Sequence, residues 1–172
     1  DDFVVVGVAH DSDTGLEIAL QKMPDVVLVN MGVSGRGAFM LAEDLATQLP
    51  RTRVVFLSEF YSDILLDEAM RLNVVAFFLT SEPSDRIVTG LRTVCRGGLD
   101  FSAEVAERLR YDKDAGRFVA KYQSCLSQLT TRQLVVLRQL SWQSDVDEVA
   151  RTLKIKKQTV HTHRHKIMEK LG

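Results

Sequence analysis

The chain has 172 residues, 45% of them hydrophobic and 26% charged, with a formal net charge of −1. Such a composition describes an ordinary globular protein, long enough for one large domain or two small ones. No apolar run approaches the roughly 20 residues a membrane helix needs, and Cys95 and Cys125 are too few for a disulfide framework.

Residues 3–8 (FVVVGV) form an apolar run expected to be a buried strand, and Leu16, Ala19, Leu20 and Met23 recur at helical spacing after it. Residues 26–30 (VVLVN) predict a second buried strand, followed by a glycine-rich turn from Gly32 to Gly37. Ala38, Leu41, Ala42, Leu45 and Leu49 give the next helical stripe, and Arg53 to Ser58 (RVVFLS) a third strand. Ser62 is placed to cap a helix carrying Leu65, Leu66, Ala69 and Met70. Val74 to Leu79 (VVAFFL) is a fourth strand, and Ser84 is placed to cap a helix carrying Ile87, Val88, Leu91 and Val94. Uninterrupted apolar strands alternating with amphipathic helices predict a parallel sheet covered on both faces, an α/β doubly wound domain over residues 1–100.

Gly97-Gly98 closes that unit, and Ser102-Ala103-Glu104 with Val105, Ala106 and Leu109 opens a short helix. Tyr111 to Gln128 is charged and polar, so residues 101–128 read as a linker helix and linker. Residues 1–100 hold 15 Asp and Glu against 8 Lys and Arg, a net −7; residues 129–172 hold 4 against 9, a net +5, with three of the four histidines. An acidic part joined to a basic part points to two domains, the second suited to polyanions.

In that basic part, Thr130 and Gln133 have capping-box spacing at the start of a helix with a Leu134, Leu137 and Leu140 stripe, and Trp142 is expected at the core edge. Ser144 to Asp147 opens a second helix, with Val146, Val149, Ala150 and Leu153 as its stripe. Only Lys154 to Lys156 separate it from a third. On that third helix, Val160, His163, Arg164, Ile167, Met168 and Leu171 fall on the core side. Gln158, His161, Thr162, His165, Lys166 and Glu169 fall on the outer side, which is cationic apart from Glu169. Two helices on so short a turn, the second polar and basic outward, describe a small all-α helix-turn-helix whose second helix enters the DNA major groove.

The segment from Leu129 to Gly172 resembles the LuxR-type helix-turn-helix: Leu129, Thr130 and Arg132 match its opening, Val136-Leu137 its apolar pair, and Glu148-Val149-Ala150 its second helix. Thr159, Val160, Thr162, His163 and Arg164 match its third helix, and Lys170 to Gly172 its close. The resemblance implies base contacts from His161, Thr162 and His165 and phosphate contacts from Lys156, Lys157, Thr159, Arg164 and Lys166. The family's usual glycines fall here on Gln143 and Lys154, and its serine N-cap on Lys156. Lys154 is therefore expected to bear a positive φ. His163 is expected to pack. His161 and His165 stand i, i+4 without a third ligand, so no metal site and no cofactor are expected.

The first hundred or so residues resemble the receiver domain of NarL/FixJ-type response regulators, through PDVVLVN, RVVFLS and VVAFFLT, with FSAEVAERL beyond. That flavodoxin-like fold places its site at the carboxyl ends of the strands. The match begins at the family's second strand, so about 30 residues, one strand–helix unit, are expected to precede it, and Asp1-Asp2 does not replace the acidic pair. Asn30 occupies the place of the phosphoaccepting aspartate, Thr80 that of the lysine, Phe77 that of the switch aromatic and Ser34 that of the turn proline, while Ser58 keeps the hydroxyl. An amide is no nucleophile for phosphoryl transfer and adds no charge for a metal. The resemblance thus implies a receiver that accepts no phosphate. Asn30, Ser58 and Thr80 form either a dead site or a small-ligand pocket, and the lack of convergent charge favours the first. Glu59 and Asp25 are the neighbouring carboxylates, with nothing in their favour as acceptors.

These readings converge on a cytoplasmic, dimeric, DNA-binding transcription regulator of the two-component type that is no enzyme and works without aspartyl phosphorylation. The rival is a protein–protein adaptor that kept both folds and lost DNA binding.

Overall fold

The computed structural model describes residues 3–122, 125–142 and 145–171. The expectations placed on Asp1, Asp2, Gln143, Ser144 and Gly172, and on the side chains of Cys125 and Trp142, lie outside the described residues.

Four parallel strands build one sheet in the order β1 (Val26–Asn30), β2 (Arg53–Ser58), β3 (Ala76–Leu79) and β4 (Asp100–Phe101). The register aligns Asn30 with Leu57, Ser58 with Leu79 and Phe77 with Phe101. Helix α1 (Ser12–Lys22) precedes β1, and α2 (Ala38–Gln48), α3 (Asp63–Arg71) and α4 (Ser84–Cys95) connect the strands. Strand alternation sends Val54, Phe56, Phe77 and Leu79 into one core with α1, α2 and α3, and Val55, Ala76 and Phe78 into another under α4. In the larger core Phe39, Phe56 and Phe77 meet edge to face, with centroids 5.5 and 6.2 Å apart. Gly90 lets α4 lie close on the sheet: a Cβ there would come within 2.4 Å of the Phe78 ring.

Residues 3–8 are not the expected buried strand. They carry no strand pairing, and Val4, Val5 and Val8 are largely exposed. Among the described residues β1 is an edge strand, paired with β2 alone, and its Leu28 is itself 44% exposed. Two boundaries also move. β3 starts at Ala76 because Asn73 (φ 55°) closes α3 in a left-handed turn and the Val74 amide bonds Ala69. Ser84 lies inside α4, and Pro83 takes the N-cap place without a side-chain cap.

A β-hairpin replaces most of the linker. After α5 (Ala103–Ala106), β5 (Leu109–Asp112) pairs antiparallel with β6 (Arg117–Ala120). Asp112 Oδ1 accepts from the amides of Asp114 and Ala115, both at 3.0 Å, and Gly116 takes a φ of 65° to close the loop. Phe118 stacks edge-on against Phe101 and Tyr111, and Val105, Leu109 and Phe118 join the larger core.

The last part is a three-helix unit of α6 (Thr131–Trp142), α7 (Val146–Thr152) and α8 (Lys157–Leu171). Leu129, Val136, Val149, Leu153, Val160 and Ile167 fill its core. Val136 is fully buried and the three stripe leucines only partly, because α6 is covered on two sides, by α7 and α8 and by α2 of the first domain.

Candidate nucleic-acid interface

The interface is assembled by three short-range motifs. The capping box forms as the spacing predicts: the Thr130 amide donates to Gln133 Oε1 at 2.9 Å, and the Gln133 amide to Thr130 Oγ1 at 3.3 Å. Asp145 caps α7 by accepting from the Asp147 amide at 2.9 Å. At the other end of α7 the Lys154 amide bonds the Arg151 carbonyl and the Ile155 amide the Ala150 carbonyl. This is a Schellman closure with Lys154 (φ 52°) in the left-handed place that glycine usually takes. The turn aims α8 outward at once, and the Lys156 carbonyl accepts the first amide bonds of that helix.

Val160 and Ile167, seven residues apart, are the buried anchors of α8. Arg164, Met168 and Leu171, assigned by period to the core side, are exposed, with Met168 61% and Leu171 39% accessible. The core reaches α8 through Val160 and Ile167, with only Thr159 and His163 half-buried beside them. On the opposite face Gln158, His161, Thr162, His165, Lys166 and Glu169 are all exposed. Thr162 donates to the Gln158 carbonyl at 2.9 Å, and His165 Nε2 stands 3.4 Å from Glu169. The three residues assigned to bases, His161, Thr162 and His165, thus share one open face, with Lys166 beside them, while Thr159 is half-buried and Arg164 lies on the flank. His163 is half-buried, its Nδ1 has no hydrogen-bond partner, and burial, then Arg132 and Lys166, holds its pKa below the usual value. That environment fits packing rather than base reading.

Beside the turn opens a cleft of about 550 Å³ lined by Asp147, Arg151, Lys154, Ile155, Lys156 and Lys157. Lys157 is tied to Asp147 at 2.9 Å. Arg151 was not singled out from the sequence; its place in the last turn of α7, beside the turn lysines, was the available signal.

The polar residues of the receiver-like domain gather at the carboxyl ends of the strands, where the fold predicts them. Asn30 ends β1 exposed, with Oδ1 accepting from the Gly32 amide at 2.8 Å. Ser58 ends β2 buried, its hydroxyl donating to the Phe60 carbonyl at 2.6 Å, and the exposed Thr80 donates its amide to the Ser58 carbonyl at 2.9 Å. Phe77 does not join them: it is fully buried in the aromatic row. Asp25 precedes β1 at the opposite end of the sheet, where its carbonyl receives the Arg53 amide.

The two domains touch through named pairs. Arg71 donates to the Leu129 carbonyl at 2.8 Å, Arg138 lies over the Phe39 ring at 5.4 Å, Arg132 meets Met40 Sδ, and Lys154 pairs with Asp13 at 2.8 Å. With these contacts in place the outward face of α8 stays uncovered.

Residues 127–172 match the family model for bacterial regulatory proteins of the luxR family. Over its full length the chain is 30% identical to the transcriptional regulatory protein MctR of Rhizobium johnstonii, spanning 77% of that protein. It is 28% identical to the transcriptional regulatory protein YxjL of Bacillus subtilis, over 98% of this chain and 78% of the relative. Among solved structures, the RcsB response regulator of Salmonella typhimurium shares the fold, with a TM-score of 0.66 at 19% identity over 98% of this chain and 78% of that one. The chain therefore belongs to the LuxR family of bacterial regulatory proteins, as a transcriptional regulator that joins a receiver-like α/β domain to a LuxR-type DNA-binding helix-turn-helix.

Proposed function

We propose that this regulator reads duplex DNA through the outward face of α8 and does so without aspartyl phosphorylation of its receiver-like domain. One observation carries the reading: Val160 and Ile167 pin α8 while His161, Thr162, His165 and Lys166 stand exposed with both domains docked. His161, Thr162 and His165 supply hydrogen bonds to base edges. Lys156, Lys157, Thr159, Arg164 and Lys166 meet phosphates and set affinity and register. Residues 129–172 form the reading unit. A homodimer would place two such units on a two-fold operator in the cytoplasm.

Independence from phosphate rests on chemistry at the strand ends. Asn30 offers an amide, which lacks the carboxylate oxygen that takes a phosphoryl group to form an acyl phosphate. The Ser58 hydroxyl is spent on the Phe60 carbonyl, and Thr80 supplies no cation for phosphoryl oxygens.

The test is in vitro selection from random duplexes by the full chain, with and without acetyl phosphate and Mg²⁺. An enriched motif, the same in both conditions and lost when His161, Thr162 and His165 are all changed to Ala, supports the reading. Enrichment that needs acetyl phosphate overturns the phosphate-free half. No enrichment by folded protein at low salt points instead to a protein–protein adaptor.

A further inference from the structure

Lys154 sits in a conformation that lysine adopts at a cost of about 1 kcal/mol relative to glycine, yet its side chain extends across to the first domain. Its ammonium lies 2.8 Å from Asp13 Oδ2, near the start of α1. The same lysine lines the cleft beside the turn, together with Arg151, Lys156 and Lys157. The anion resting on this cationic cleft is thus a carboxylate of the chain itself.

We infer that this cleft is a phosphodiester-binding surface and that Asp13 of the receiver-like domain competes with the DNA backbone for Lys154, so that domain docking and DNA affinity oppose each other. The inference rests on the reading of α8 as the DNA-reading helix and adds a means of control to it. Three features make the exchange easy. The Lys154 side chain is 68% exposed, so its release opens no core. Asp13 is held from its own domain by Arg36 at 2.8 Å, and Arg36 also pairs with Asp44 at 2.8 Å, so Asp13 is not left unpaired when Lys154 departs. The outward face of α8 is uncovered in the docked state, so control through this lysine needs no steric blocking of the reading residues. Because the coupling is reciprocal, DNA weakens the docked arrangement by as much as docking weakens DNA binding.

The experiment measures binding of the full chain to a short labelled duplex of mixed sequence over a range of KCl concentrations. For D13N, affinity rises about two- to five-fold, the range of one exposed ion pair. Its plot of log K against log salt steepens by about 0.9, one added phosphate contact. K154M alone changes binding little, and in the D13N background it abolishes both increments. R151M flattens the slope by about 0.9 in either background. The inference is overturned if D13N binds with unchanged affinity and slope, or if its gain persists in D13N/K154M, which would mark a general charge effect. Absence of wild-type binding at every salt concentration overturns the DNA reading itself, a failure distinct from that of the competition.

Discussion

At the scale of single residues, environment rather than residue type decides which of the clustered histidines does what. His161 and His165 stand in solvent, whereas His163, between them in sequence, lies half-buried against the core with Nδ1 lacking a hydrogen-bond partner. Burial is the largest influence on it, and the cations Arg132 and Lys166 add to the disfavour of a second proton. The folded protein therefore binds a proton at His163 less readily than the unfolded chain does. A depressed histidine pKa gives stability that is fully present above the ordinary value of 6.5 and is lost as pH falls from there through the lower folded value. H163Q removes the titrating group. Urea unfolding followed across about pH 5 to 8 by the fluorescence of Trp142, the single tryptophan, is expected to show wild type weakening below pH 6.5 and H163Q holding a flatter profile. Equal profiles would place His163 outside the buried environment described. The packing role of His163 was legible in its helical phase; the lowering of its pKa was not, since it depends on burial and on Arg132, which belongs to α6.

Elements whose defining contacts are local were the ones the sequence announced. The capping box at Thr130 and Gln133 and the Ser62 cap of α3 follow from residues a few positions apart, and the left-handed Lys154 was expected from the family resemblance, whose glycine it replaces. The β5–β6 hairpin escaped because its charged surface hides a weak alternation, and its decisive signals, the Asp112 turn and Gly116, look like linker composition. Residues 3–8 failed the other way: an apolar run gives strand propensity but does not supply the neighbour that a parallel strand requires. On α8 periodicity alone overstated the buried stripe, because it counts residues facing the core without asking how far the partner helices reach. That difference is measurable. Truncating the fully packed Ile167 (4% exposed) to Ala costs about 2–4 kcal/mol by loss of contact and cavity formation. M168A, one residue on, changes stability by at most about 0.5 kcal/mol. Denaturant midpoints read from Trp142 fluorescence compare the two, and similar losses would mean that α8 packs along the broader stripe.

For the whole molecule, the docking of the two domains was the least legible feature, since each contact joins residues far apart in sequence whose types carry no marker of the pairing. Glu68 shows what such a contact costs. It is 2% exposed on α3, lies beside Thr131 at the start of α6 and stands 3.4 Å from Arg71, which reaches across to the Leu129 carbonyl; Oε1 has no hydrogen-bond partner. Burial is the largest influence and raises its pKa above the ordinary 4.5. Thr131 and Arg71 pull it down, and the neighbouring Asp67 and Glu43 push it up again. For a carboxyl group the sign is opposite to that of His163. The folded, docked state holds the proton more tightly than the unfolded chain, so the penalty of a buried charge is full above the raised value and is relieved as pH falls towards 4.5. Wild type is therefore expected to gain stability on mild acidification from neutral pH through this group. E68Q, which keeps shape and an acceptor for Thr131 but cannot ionise, is expected to lose that gain while remaining at least as stable at neutral pH. Measuring both proteins in the H163Q background removes the opposing histidine contribution from the same pH range. If E68Q/H163Q is less stable than H163Q at neutral pH by more than about 1 kcal/mol, the charge on Glu68 holds the domains together through Arg71, and its burial strengthens the docked state instead of taxing it.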